Sequence, residues 1–113
     1  MSDGVAQVLA AAQGCRELAA GLPEGLEAET KEALVGRWEK CATRLERLQH
    51  RFFVKTKAAA NYTQACLEAV NQAQAALAGG PAAEALREQV AAVEAATAVL
   101  EQKSLPTGGI VVT

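Results

Sequence analysis

Residues 37–78, RWEKCATRLERLQHRFFVKTKAAANYTQACLEAVNQAQAALA, contain neither glycine nor proline, and their apolar residues return every three or four positions. Leu34, Trp38, Cys41, Leu45, Leu48 and Phe52 step by four and three. Ala59, Tyr62, Cys66, Ala69, Ala73 and Ala76 resume the rhythm after Lys55. Such spacing lines up one face of an α-helix, so the pattern predicts a single long helix over about 26–78.

The flanking segments read as two shorter helices. Val5, Val8, Leu9, Ala12, Cys15, Ala19 and Leu22 mark the apolar face of the first, with Ser2 or Asp3 available as its cap. Gly14, in its middle, suggests a close approach of another segment, and Gly21 is expected to end it in a left-handed conformation before Pro23 and Gly25. Gly79, Gly80 and Pro81 stop the central helix. A last helix follows from 82 to about 103, with Leu86, Val90, Val93, Thr97 and Leu100 as its seam. The expected fold is therefore all-α: helical hairpins built on one long central helix, with a short antiparallel helix folded back at each end.

The alternative is a compact four-helix bundle with a break near residue 53. Phe52, Phe53, Val54, Lys55 and Thr56 gather aromatic and β-branched residues, whose summed propensity deficit is roughly 2 to 3 kcal/mol. No Gly, Asn, Asp, Ser or Pro is present to make a short turn there, which favours the unbroken helix. The choice has a consequence for assembly. A helix over 26–78 would be about 80 Å long, against about 27 Å and 33 Å for its neighbours. Each hairpin would leave half of its apolar stripe in water, and a dimer or a hetero-complex would be needed to cover it. A break near 53 removes that need.

The length of 113 residues fits one domain, here taken as 1–103 with a flexible C-terminal tail over 104–113. Half of the residues are apolar but few are aromatic, so the core must be built from closely spaced small side chains and a few Leu and Val. Cys15, Cys41 and Cys66 have no metal-binding spacing, and the lone His50 adds no second ligand, so they read as small buried hydrophobes and no metal or cofactor is expected. No apolar run reaches the ~18 residues of a membrane span, and no signal peptide pattern opens the chain. A cytoplasmic location is expected, with a nuclear one as the alternative.

Charge is unevenly spread. Residues 37–57 carry seven basic groups and two acidic ones, while the whole chain has a net charge of -2. Arg37, Lys40, Arg44, Arg47, Arg51 and Lys55 step by three and four, and so form one basic stripe along the central helix. Such a stripe can hold phosphates or an anionic surface, or it can pair with glutamates of neighbouring helices. No Ser, His, Asp constellation, paired carboxylates or phosphate-cradling loop can be assembled, so the chain does not read as an enzyme and no small-molecule substrate is evident. His50 on a helical bundle invites comparison with phosphotransfer domains. The Lys and Gly that follow the histidine of those domains by three and four residues are replaced here by Phe53 and Val54.

The function these features imply is that of a small helical assembly or adaptor subunit, acting as a dimer or within a hetero-complex. Phe52, Phe53, Val54 and Trp38 are the candidate partner-binding residues, beside the basic stripe. The alternative is polyanion binding, to nucleic acid or an anionic surface, through that stripe.

Overall fold

The computed structural model describes residues 3–105. Ser2 and the side chain of Asp3, the two expected caps, and residues 106–113 of the expected tail lie outside what is described.

Four helices form among the described residues: α1 (Asp3–Ala20), α2 (Ala28–Leu48), α3 (Ala60–Leu77) and α4 (Ala83–Lys103). The all-α expectation holds. The single helix over 26–78 does not form, and its two halves are separate helices joined by an eleven-residue connector over 49–59.

The connector turns the chain without any residue of positive φ. Behind Leu48 the hydrogen bonds tighten to the three-residue pattern, His50 N–H to the Arg47 carbonyl and Arg51 N–H to that of Leu48. Two 3-10 turns follow, Phe53–Lys55 and Lys57–Ala59, hinged on Thr56. Thr56 is extended, with φ -95° and ψ 161°. Its hydroxyl donates to the Phe53 carbonyl at 2.6 Å. What stabilises this bend is burial. Val54 and Ala59 are fully enclosed, and the Val54 carbonyl lies so close to Gly4 of α1 that any side chain at position 4 would overlap it.

The helices run up, down, up and down. α1 lies beside α2 and α3, and α4 beside the same two helices. Consecutive helices are antiparallel, so the α1–α3 and α2–α4 neighbours are parallel. The buried side chains repeat with alternating steps of three and four in every helix: Val8, Ala11, Cys15, Leu18 and Leu22; Leu34, Trp38, Cys41, Leu45 and Leu48; Ala59, Thr63, Cys66, Val70 and Ala73; Leu86, Val90, Val93, Thr97 and Leu100. This is the packing rhythm of helical bundles. The α1 face is turned slightly from the expected one, with Leu18 inside and Leu9 at 37% exposure.

Two glycine expectations separate. Gly14 does sit at a close approach, where an added Cβ would overlap Val70 of α3. Gly21 is not left-handed. Its N–H bonds to the Glu17 and Leu18 carbonyls, and among the described residues the left-handed glycine is Gly80, at φ 64° between α3 and α4.

With four seams facing inward, no half-stripe is left in water. The premise for an obligatory dimer therefore falls away in this arrangement.

Candidate functional site: an apolar and basic end of the bundle

The basic stripe divides into two groups. Arg37 donates from Nε and Nη2 to the Glu94 carboxylate at 2.9 and 2.6 Å, and Arg44 does the same to Glu101 at 3.0 and 2.7 Å. Both pairs link parallel helices α2 and α4. Each arginine is held further into its charged range by the hydrogen bond to its glutamate. The Arg37 hydrogen bond holds the Glu94 carboxyl below the usual carboxylate range. A third bidentate pair, Arg16 with Glu46, ties α1 to α2. Arg37 and Arg44 are thus occupied in holding the fold. Lys40, Arg47, Arg51 and Lys55 are exposed, and among the described residues none has a carboxylate within ion-pair distance.

The four candidate partner-binding residues also separate. Trp38 and Val54 are fully buried, so neither can meet a partner while the bundle is closed. Trp38 is the largest enclosed side chain, and its Nε1 finds no hydrogen-bond acceptor among the described residues. Phe53 is half-buried and packs on Tyr62, ring centroids 6.0 Å apart, with the Lys103 ammonium 5.6 Å from the Tyr62 centroid. Phe52 is 80% exposed. A continuous helix would have put Phe52 on the buried seam; ending α2 at Leu48 turns it outward.

Phe52 is not alone at this end. Leu105, just past α4, is 51% exposed. His50, Arg51, Phe52, Phe53, Thr56, Lys103, Ser104 and Leu105 together line a cleft of about 360 Å³. A second cleft of about 350 Å³, lined by Arg44, Arg47, Leu48, Arg51, Glu101 and Leu105, adjoins it. Arg51 and Leu105 belong to both, so the two clefts share a wall and make a bipartite groove at the C-terminal ends of α2 and α4. The Ser104 side chain is buried against it, and its hydroxyl has no partner among the described residues.

The charge of this end is one-sided. No Asp or Glu occurs between residues 47 and 67. Among the side chains described, Glu46 and Glu101 at this end are already paired with Arg16 and Arg44. Arg47, Arg51, Lys55, Lys57 and Lys103 are left to set the local potential. The opposite end carries Glu24, Glu27, Glu29 and Glu32, beside a cleft of about 490 Å³ whose lining includes Pro23, Leu26, Pro81 and Arg87. The polar side chains of that cleft are Glu27, Thr30 and Arg87.

Leu105 and Lys103 were not among the sequence candidates, because nothing local in the sequence brings the end of α4 beside residue 52. The arginine pairs did leave a trace. Arg37 and Arg44 are seven apart, as are Glu94 and Glu101, which is the spacing needed for two rungs between parallel helices.

The three cysteines are free, buried and inside the core. Burial pushes the Cys15 thiol up to about 12, and those of Cys41 and Cys66 up to about 11. They are protonated, unreactive thiols at neutral pH. Among the described residues no three His, Cys, Asp or Glu side chains are grouped to hold a metal ion, and no helix is long and apolar enough to cross a membrane. No protein-family model, curated protein or solved structure matches the chain.

Proposed function

We propose that this chain is a small helical protein-interaction module, and that it docks an acidic segment of a partner protein, carrying a few apolar side chains, into the groove at its connector end. The observation that carries this reading is the combination of an 80% exposed Phe52 with Leu105 and a rim of cations that have no carboxylate partner among the described residues. Scattered exposed apolar residues such as Leu9 and Val99 need no explanation. Phe52 and Leu105 differ in lining the same cleft, and an aromatic anchor beside arginine is the composition of binding hot spots. The surrounding positive potential favours acidic partners and speeds their encounter. Adaptor or assembly activity then follows from holding that partner.

The second reading is polyanion binding through Arg47, Arg51, Lys55 and Lys57, favoured by their lack of carboxylate partners among the described residues. The two are separated by one titration series, with amide shifts followed by NMR. The probes are an acidic amphipathic peptide, polyglutamate of equal charge, and a single-stranded oligonucleotide. The interaction-module reading expects shifts over residues 50–56 and 103–105 with the peptide, much weaker ones with polyglutamate, and loss of binding in Phe52→Ala. Equal binding of all three probes, steeply weakened by salt and indifferent to Phe52→Ala, would favour the polyanion reading. No shift at this end with any probe refutes both.

A further inference from the structure

The connector keeps a feature that a simple turn has no use for. Leu48, the last buried residue of α2, and Ala59, the first of the α3 seam, are eleven residues apart. At 3.6 residues per turn, eleven residues return to nearly the same face of a helix. The seams of α2 and α3 are therefore in phase, as they would be in one rod, although in the folded chain the two helices run in opposite directions. The intervening residues lack glycine and proline, and no residue among them has positive φ. Phe52, the capping residues Gln49 and Ala60, and the residues of the 3-10 turns already lie in or near helical space. Thr56 is extended, and Arg51, which belongs to no helix or turn, is the second place where a continuous helix is interrupted.

The two halves are also matched. α2 and α4 have 21 residues each, and α3 has 18, as many as α1 has among the described residues. The side-chain pairs that join the α1–α2 hairpin to the α3–α4 hairpin lie between residues far apart in sequence: Arg37 with Glu94, Arg44 with Glu101, Glu17 with Gln74, and Gly14 facing Val70. A second copy of the chain can supply each of these partners unchanged.

We infer that the chain has a second state, a dimer in which two copies exchange hairpins, with α2, the connector and α3 joined as one helix of about 75 Å. Rotation at Thr56, with Arg51 taken up into the helix, straightens the connector. Two such rods lie antiparallel, and the α1–α2 hairpin of each copy packs on the α3–α4 hairpin of the other. Every inter-hairpin contact named above is recreated between chains. Phe52 then falls on the continuous seam, where the sequence rhythm puts it, and leaves the surface. The exchange therefore closes the groove described above, although the inference does not depend on what that groove binds. Val54 gives up its enclosure and Lys55 comes to a seam position at the middle of the rod, which keep the monomer the major form at low concentration.

Exchange is tested by complementation in the full-length chain. One chain carries Arg37→Glu and Arg44→Glu, and a second carries Glu94→Arg and Glu101→Arg. Each repels itself as a monomer and as a homodimer, whereas a swapped heterodimer restores all the pairs. Unfolded together at high concentration and refolded, the two should give a one-to-one heterodimer by native mass spectrometry. Lys55→Leu in both chains should raise its yield severalfold. Lys57→Pro in both should abolish it, because proline directs the preceding Thr56 to the extended conformation it has in the monomer and cannot continue a helix. The same Lys57→Pro in the wild-type chain should leave the melting temperature unchanged or higher. Monomers alone from the mixture, a heterodimer insensitive to Lys57→Pro, or a wild-type background destabilised by Lys57→Pro would each overturn the inference.

Discussion

Replacing Gly14 by alanine sets two effects of opposite sign against each other, and the structure decides between them. Gly14 is in the middle of α1, where alanine is favoured over glycine by about 1 kcal/mol through helix propensity alone. A methyl group there would overlap Cγ1 of Val70, which is fully buried in α3 and, being β-branched, has little freedom to rotate away. Overpacking of this kind typically costs about 1–3 kcal/mol. Gly14→Ala should therefore be neutral to destabilising, by up to about 2 kcal/mol. Val70→Ala alone removes two buried methyl groups and should cost about 1.5–3 kcal/mol. In the double variant the new methyl enters the space that Val70 has vacated, so Gly14→Ala added to Val70→Ala should stabilise by about 1 kcal/mol. The expected coupling is thus about 1–3 kcal/mol. Urea unfolding, followed by circular dichroism and by the fluorescence of the single Trp38, measures all four chains at constant slope. If Gly14→Ala stabilises the wild-type chain by about 1 kcal/mol and the two substitutions add, α1 does not lie beside α3 in this register.

Other outcomes follow from the same geometry. Phe52→Ala should change stability by less than about 0.5 kcal/mol, because the ring is mostly in water, while Val54→Asp should cost more than about 3 kcal/mol by burying an unpaired charge; thermal melts of both variants check the pair. The carboxyl of Glu94 is held low in the folded state, so its contribution is present above the unfolded carboxylate range and is lost as pH falls through the lower folded value. Glu94→Gln should flatten the acid limb of the stability curve, by less than about 1 kcal/mol because the pair is partly exposed. The three thiols are raised, so their contribution is complete below about pH 8.5, the ordinary thiol value, and is lost as pH rises through about 11 to 12. Cys15→Ala should accordingly move the alkaline unfolding midpoint upward relative to its own stability at pH 7, measured by circular dichroism.

Much of the fold was legible in the residues. The seam of α4 and that of α2 up to Leu48 match the buried positions, whereas in Ala-rich α1 and α3 the face is turned by a residue, Thr63 and Val70 being buried in place of Tyr62 and Ala69. The stop at Gly79–Pro81 was equally plain, since Gly80 needs a left-handed φ. The bend at 49–59 was hidden for a physical reason. It is built from helical and extended dihedrals that any residue adopts, so it calls for none of the turn residues whose absence argued for continuity. Its cause is tertiary: enclosing Val54 and closing all four seams outweighs a few backbone hydrogen bonds. The propensity deficit at Phe52–Thr56 was the available signal, and it pointed to the right place. The candidate site was legible in half. Phe52 and the free cations could be named, but Leu105 and Lys103 reach them only through the antiparallel return of α4. Trp38 shares its residue type with binding anchors, and only its enclosure assigns it to the core.

The reversal of the chain between Leu48 and Ala60 carries the account, since it brings Phe52 and Leu105 to one end and turns every seam inward. Small-angle X-ray scattering on protein confirmed as monomeric by mass tests it most directly. A radius of gyration close to the 15.0 Å of the folded Cα trace is the expected result. A monomer with a value of about 23 Å, that of a rod about 80 Å long, would contradict it.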